Sequence, residues 1–154
     1  MITLKRTNSE DAVFLQLVKE LDADLAVRDG KEREFYNQFN KLDSIKHVII
    51  AYENEKPAGC GAIKQYSSDT MEVKRMFVPL KLRGKGIASA VLNELEKWAS
   101  ELGYKKCILE TGKRQPEAIA LYKKNGYMQI PNYGQYIGIE NSVCFIKELE
   151  DKKK

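Results

Sequence analysis

A short basic loop that contains two glycines follows an extended segment in the middle of the chain. The loop reads Arg83-Gly84-Lys85-Gly86-Ile87-Ala88 and opens a run with helical spacing. Glycine has no Cβ, so a ligand can approach Gly84 and Gly86 closely, and the first N–H groups of a helix have no acceptor within that helix. The basic residues of the loop, together with Lys81, place positive charge on the same rim. The pattern favours a pyrophosphate group, although a glycine-containing turn with solvated lysines fits the loop alone equally well.

Two common phosphate-binding motifs do not fit this loop. In a P-loop the Gly-Lys pair is followed by Ser or Thr, which holds magnesium, but Lys85 is followed by Gly86. A dinucleotide-binding fingerprint needs a third glycine three residues further on, where Ser89 stands. The sequence therefore argues against a nucleotide-hydrolysing site.

The loop fits a different pattern, Arg-x-x-Gly-x-Ala at 83–88, which resembles the acyl-coenzyme A signature of the GNAT superfamily of N-acetyltransferases. Upstream, Glu72-Val73-Lys74-Arg75-Met76-Phe77-Val78 is similar to the fourth strand of that family. Downstream, residues 115–127 are similar to its final helix, with Gln115 where Asn is usual and Tyr127 where Phe is usual. The three matches stand in the order that the family has.

The resemblance implies an enzyme that uses acetyl-CoA as co-substrate. It implies that the fourth strand bulges and parts from the strand at 108–111, which frees backbone groups for the pantetheine arm and the thioester carbonyl. The residues that the resemblance implies for coenzyme binding are Met76, Phe77, Val78, Arg83, Gly84, Lys85, Gly86, Ile87, Ala88, Gln115 and Tyr122.

Glu72 is the first candidate for catalysis. A carboxylate on a strand faces solvent by default. In some members of the family, however, the matching residue deprotonates the incoming amine directly or through water, and an amine must lose its proton before it attacks a thioester. Glu110 on the next strand and a chain of waters remain alternatives for this role.

Tyr122 is the second candidate. It lies on an apolar helical face with Ala118, Ile119 and Leu121, so it could simply belong to the core. In many members of the family, the matching tyrosine faces the coenzyme sulfur and protonates the departing thiolate. His47 most simply begins a strand.

Four further residues lie in segments that usually wall the acceptor pocket of such enzymes, namely Arg28, Tyr36, Tyr133 and Tyr136. Their identities do not specify a substrate. The expected acceptor is a small-molecule or peptide amine.

Hydrophobic periodicity predicts the order β-α-α-β-β-β-α-β-α-β. The first helix begins near Ser9, a loop spans Asp22 to Glu34, and a second short helix carries Phe35, Tyr36 and Phe39. An extra strand is expected near Tyr133 to Ile139. The prediction is an α/β (α+β) fold with a mixed sheet of six to seven strands and about four flanking helices, which is also the order of the GNAT fold.

With 154 residues the chain suits one domain over 1–150, followed by a frayed basic tail at 151–154. We expect a cytoplasmic protein without a signal peptide or a membrane span. The three cysteines, Cys60, Cys107 and Cys144, are expected to be reduced and buried, and no ligand spacing indicates a metal. The net charge of +4 gives little support for nucleic-acid binding. A homodimer is left open.

The sequence thus favours transfer of an acetyl group to a primary amine by direct attack in a ternary complex. A ping-pong route through a cysteine is less favoured, although Lys106 beside Cys107 keeps it open. The alternative from another functional class is a non-catalytic acyl-CoA-binding sensor or partner module.

Overall fold

Seven strands form one mixed sheet in the computed structural model, which describes residues 1–29 and 45–149. The strands are β1 (Ile2–Thr7), β2 (His47–Glu53), β3 (Lys56–Gln65), β4 (Thr70–Phe77), β5 (Lys106–Gly112), β6 (Met128–Ile130) and β7 (Ser142–Glu148). The helices of the described part are α1 (Ala12–Asp29), α2 (Ile87–Glu101) and α3 (Pro116–Lys124). The order across the sheet is β1-β2-β3-β4-β5-β7-β6, and only the β4–β5 pair is parallel among these neighbours. The predicted mixed sheet is confirmed, whereas the predicted short helix with Phe35, Tyr36 and Phe39 lies outside the described residues.

The sheet separates two apolar cores. The larger core joins α2 and α3 to one face and includes Val91, Leu95, Leu109 and Phe145. The smaller core joins α1 to the other face through Phe14, Leu17, Val18 and Leu21. No helix among the three described ones is long and apolar enough to cross a membrane.

Helix α1 is longer than the sequence predicts. Asp11 accepts a hydrogen bond from the N–H of Val13 at 2.9 Å and so caps the first turn, while the hydroxyl of Ser9 accepts the N–H of Ile45 at 3.0 Å. The predicted loop from Asp22 to Glu34 is wrong as far as Asp29, because helix α1 continues to that residue. No Gly or Pro interrupts this charged segment before Gly30. A contact of Asp22 with the sheet, described below, also favours the helix.

The chain enters β3 through a tight hairpin. Asn54 and Glu55 have φ of 51° and 72°, as a two-residue turn of the mirror-image type requires. Gly61 in β3 then lets α2 pack closely, since a Cβ at this position would lie 2.5 Å from the sulfur of Met76 and 2.9 Å from a methyl carbon of Leu95. This close packing seats the helix that follows the basic loop directly on β3.

The extra strand is β6 at Met128–Ile130, so its predicted position near Tyr133 to Ile139 is wrong. The later segment bends instead into a short 3-10 turn at Gly134–Tyr136. The side-chain amide of Asn132 donates to the carbonyls of Tyr136 at 3.1 Å and Ile139 at 3.0 Å. These carbonyls are thus satisfied within the loop, and the segment does not need a strand partner.

Candidate active site

A cleft opens in the sheet because β4 and β5 stay paired only at one end. The parallel register joins Thr70–Glu72 to Lys106–Ile108 and stops there. Beyond this point β4 continues to Phe77 and β5 to Gly112 without pairing to each other. The edge of β4 that faces β5 therefore presents backbone groups to the cleft instead of to a neighbouring strand.

A β-bulge bends β4 beside the cleft. Arg75 and Met76 together oppose Gly61, since Cys60 pairs with Phe77 and Ala62 with Lys74. Arg75 has a φ of 58°, a left-handed conformation that costs a non-glycine residue about 1 to 3 kcal/mol. The resemblance implied a bulge in this strand, and the structure places it at Arg75 and Met76.

Two side-chain contacts hold the bulge in this conformation. The buried guanidinium of Arg75 donates to a carboxylate oxygen of Asp22 in α1 at 3.0 Å. The thiol of Cys60 donates to the carbonyl of Arg75 at 3.4 Å. Both contacts tie the irregular backbone to packed neighbours, so its left-handed conformation is supported from α1 and from β3.

The cleft contains a cavity of about 90 Å³. Sites for whole drug-sized ligands span about 300 to 1,000 Å³, so this cavity suits the reacting end of a larger ligand. The described residues that line it are Leu21, Leu25, Glu72, Val73, Lys74, Arg75, Met76, Glu110, Thr111, Gly112, Gln115, Tyr122 and Tyr136. Glu72, Met76, Gln115 and Tyr122, which the sequence singled out separately, thus share one cavity.

Glu72 enters the cavity from the face of the sheet that α1 covers. Its neighbours in β4, Met71 and Val73, belong to the opposite core, and successive strand residues alternate between faces. The Glu72 carboxylate accepts the hydroxyl of Tyr133 at 2.5 Å through Oε2, while Oε1 lies 3.7 Å from the ammonium of Lys74. Glu72 is only 9% exposed, so its charge depends on these polar neighbours and on the cleft.

Tyr122 enters the cavity from the other face. Its ring packs in the larger core, edge to face with Tyr127 at 5.8 Å between ring centres. Burial, helped by the negative charge of Glu110, raises the pKa of Tyr122 above its ordinary value. The phenol therefore keeps its proton at neutral pH and is available as a donor.

Glu110 lies on the cleft side of β5 and lines the same cavity. Its Oε2 accepts the hydroxyl of Ser142 at 2.7 Å. The structure therefore keeps both carboxylates, Glu72 and Glu110, within the cleft.

The glycine-containing loop connects β4 to α2 and adopts the conformation that its glycines permit. Gly84 and Gly86 have φ of 84° and 81°, and a Cβ built on either residue would have no atom within 4 Å. Gly86 caps α2, and its carbonyl accepts the N–H of Ala90 at 3.0 Å. The space in front of the first-turn N–H groups of α2 is therefore open to an anion.

The basic side chains of the loop contact acidic partners in this structure. Arg83 donates to the carbonyl of Val78 at 2.8 Å, and its guanidinium lies 3.7 Å from Asp24 and 4.0 Å from Glu117. Lys85 lies 3.1 Å from the carboxylate of Glu53. These contacts reduce the net positive charge that the sequence assigned to the rim, so the backbone N–H groups are the more direct feature that attracts an anion.

The other predicted residues lie outside the cavity. Phe77 is buried in the smaller core and Val78 in the larger one, while Arg83 to Ala88 follow the end of β4. Tyr36 and the side chain of Arg28 lie outside the described part of the chain. The contact between Tyr133 and Glu72 and the ion pair of Arg75 were not predicted, because nothing in the local sequence indicates either.

The three cysteines are buried and remain thiols. Burial raises the pKa of Cys60 and of Cys107 to about 12 and that of Cys144 to about 11. A thiolate nucleophile is thus disfavoured at neutral pH, which argues against a ping-pong route. Within residues 1–29 and 45–149, no cluster of three His, Cys, Asp or Glu side chains is placed to hold a metal ion.

Comparison with known proteins identifies the family. The sequence profile of the Acetyltransferase (GNAT) family matches residues 14–127. An IAA acetyltransferase of Azospirillum brasilense is 32% identical over 142 residues, which cover 88% of this chain and 90% of that protein. The uncharacterized N-acetyltransferase YjgM of Escherichia coli K12 is also 32% identical, over 71% of this chain and 66% of YjgM.

Solved structures show the same fold. A Klebsiella pneumoniae protein assigned as an acyl-CoA N-acyltransferase superposes with a TM-score of 0.81 at 27% identity, covering 97% of this chain and 99% of that one. A GNAT acetyltransferase of Elizabethkingia anophelis, solved with acetyl-CoA bound, has a TM-score of 0.67 at 20% identity, with coverage of 96% and 98%. The family profile, the relatives and the cleft in the sheet agree, and the chain belongs to the GNAT family of acetyltransferases.

Proposed function

We propose that this protein transfers an acetyl group from acetyl-CoA to a primary amine by direct attack in a ternary complex. The observation that carries the proposal is the arrangement of the cleft. A carboxylate, Glu72, and a protonated phenol, Tyr122, enter one cavity from opposite faces of the sheet. The amine and the thioester can therefore approach each other through the opening between β4 and β5, each beside the group that its chemistry requires.

The loop before α2 supports binding of the coenzyme. Its open space and its first-turn N–H groups suit a pyrophosphate, and the two glycines bring the backbone close to it. Structures of this fold have been solved with acetyl-CoA bound, from Elizabethkingia anophelis, and with coenzyme A bound, from Thermoplasma acidophilum. From this loop the acyl arm would run along the unpaired edge of β4 into the cavity.

The proposed mechanism assigns one proton transfer to each side chain. Glu72 accepts a proton from the ammonium form of the acceptor, which frees the nitrogen lone pair for attack on the thioester carbonyl. The new C–N bond forms as the C–S bond breaks. Tyr122 gives its proton to the departing thiolate, and the second proton that the attacking nitrogen loses as it becomes the amide returns to the Tyr122 phenolate through solvent. Backbone N–H groups of β4 beside the bulge would polarise the carbonyl oxygen during attack.

The test of this function is a screen of amines. The purified protein is incubated with acetyl-CoA and a panel of amino acids, polyamines, aminoglycosides, peptide N-termini and lysine peptides, and the release of free thiol is followed. We expect release that depends on the amine. Binding of acetyl-CoA without turnover of any amine would favour the non-catalytic binding module instead.

Gly86 tests the assignment of the coenzyme loop. A side chain at this position would project into the open space before α2, so Gly86→Val should raise the KM for acetyl-CoA tenfold or more, about 1.4 kcal/mol. Gly103→Val is a matched control, because Gly103 follows the other end of α2, has a φ of 93° and also has no atom within 4 Å of a built Cβ. Both variants should lose similar stability in thermal melts, but only the first should change the KM. Equal KM values in both variants would contradict the assignment.

Glu72 tests the assignment of the base. Glu72→Gln should lower kcat by about 10² to 10⁴ near neutral pH without a change in acetyl-CoA binding. Activity should partly recover as the pH rises, because more of the amine is then already deprotonated. Glu110→Gln is the matched variant on β5 and should retain most of the activity. A kcat of Glu72→Gln within twofold of wild type would instead indicate that Glu110 or water acts as the base.

Tyr122 tests the assignment of the acid. Tyr122→Phe keeps the ring in the core but removes the phenolic proton, so it should bind acetyl-CoA normally, melt near the wild-type temperature and lose kcat by about 10² or more. Tyr127→Phe removes a hydroxyl from the neighbouring ring in the same core and should keep kcat. The rates are measured with an acceptor for which chemistry limits turnover. Normal turnover of Tyr122→Phe would mean that the residue serves packing alone.

A further inference from the structure

The loop between β6 and β7 places one side chain directly on the proposed base. The hydroxyl of Tyr133 donates to Oε2 of Glu72 at 2.5 Å, across 61 positions of sequence. A hydrogen bond to an ionised carboxylate is among the stronger ones in proteins, and it fixes both the orientation and the charge state of its acceptor. The second oxygen of Glu72, Oε1, lies on the side of Lys74.

We propose that Tyr133 is a positioning residue for Glu72 that holds the carboxylate by Oε2 in the orientation in which it accepts the proton of the acceptor amine. This inference rests on the proposed role of Glu72 as the base. The loop between β6 and β7 would then position the base as well as shape the acceptor pocket.

The ring of Tyr133 is itself held from two sides. Tyr66, at the end of β3, meets it edge to face with 5.2 Å between ring centres, and Tyr136 does so at 5.7 Å. Asn132 ties the backbone of the loop through its bonds to two carbonyls. The Tyr133 ring is therefore held by neighbouring rings, and its loop is held by internal hydrogen bonds. Little conformational entropy is then lost when the phenol bonds to Glu72.

Several charged and titratable groups surround Glu72. Lys64 is its direct partner on β3, Lys74 follows on β4, and Glu110 lines the same cavity from β5. Tyr136 and Cys144 interact with the Glu72 charge from the loop and from β7. A variant that lacks only the Tyr133 hydroxyl is therefore needed to separate the contribution of Tyr133 from the contributions of these groups.

Tyr133 acts as a donor and not as a second base. Burial and the adjacent Glu72 charge raise the pKa of Tyr133 well above its ordinary value. The phenol keeps its proton throughout the neutral range, so the hydrogen bond to the ionised carboxylate persists. Because this bond stabilises the ionised form, its loss should make Glu72 harder to keep ionised as the pH falls.

The experiment compares Tyr133→Phe, the control Tyr66→Phe and the combination of each with Glu72→Gln. Kinetics use acetyl-CoA and the panel amine with the highest turnover. Tyr133→Phe should lower kcat about tenfold, leave the KM for acetyl-CoA unchanged, and move the acid limb of the pH–rate profile to higher pH. In the Glu72→Gln background the same change should have no further effect, since coupled residues are not additive. Tyr66→Phe keeps its ring and should match wild type.

A second measurement does not depend on an acceptor. The carboxyl carbon of Glu72 is followed by ¹³C NMR in protein labelled at glutamate, with the signal assigned by its loss in Glu72→Gln. Its protonation midpoint should move to higher pH in Tyr133→Phe and stay in place in Tyr66→Phe.

The outcomes separate this inference from the proposed function. An unmoved midpoint and acid limb in Tyr133→Phe, with Glu72→Gln strongly impaired, would overturn the positioning role alone. A tenfold loss in Tyr133→Phe that persists in the Glu72→Gln background would also overturn it, because the effect would then not pass through Glu72. An active Glu72→Gln variant would instead contradict the assignment of the base.

Discussion

The cleft in the sheet depends on the loss of strand pairing between β4 and β5 beyond Glu72 and Ile108. Unpaired backbone groups in the middle of a sheet are costly, and β4 and β5 each stay paired to their other neighbour, β3 and β7, along the gap. The bulge at Arg75 bends β4 beside this gap, and the contact with Asp22 supports the bend from α1. The irregular residue and its ion pair thus lie at the edge of the space in which the proposed chemistry would take place.

The two faces of the sheet give the cleft two different environments. On the face of α1, the Glu72 carboxylate meets a hydroxyl donor and lysines. On the face of α2 and α3, Tyr122 is buried in an apolar core near a negative charge, which favours the protonated phenol. A group that can accept a proton and one that can donate it are thus kept apart by the sheet and brought together only at its gap.

The glycine-containing loop before α2 is suited to an anion mainly through its backbone. The left-handed glycines and the start of α2 create the open space for an anion. Arg83 and Lys85 contact carboxylates and a carbonyl in the same region and so brace the loop between α1, α3 and β2. Glycine is needed at these positions for conformation, whereas the basic residues serve both charge and attachment.

Features that depend on local chemistry could be predicted from the sequence. Periodicity and glycine placement were sufficient for most strands of the sheet, for helices α2 and α3 and for the glycine-containing turn before α2, because these features follow from residues close together in the chain. The tertiary structure alone decided where α1 ends, where the extra strand lies, how Arg75 bends β4, and that Tyr133 contacts Glu72. Each of these results from contacts between residues far apart in sequence, in which packing and hydrogen bonding outweigh the weak local preference of the backbone.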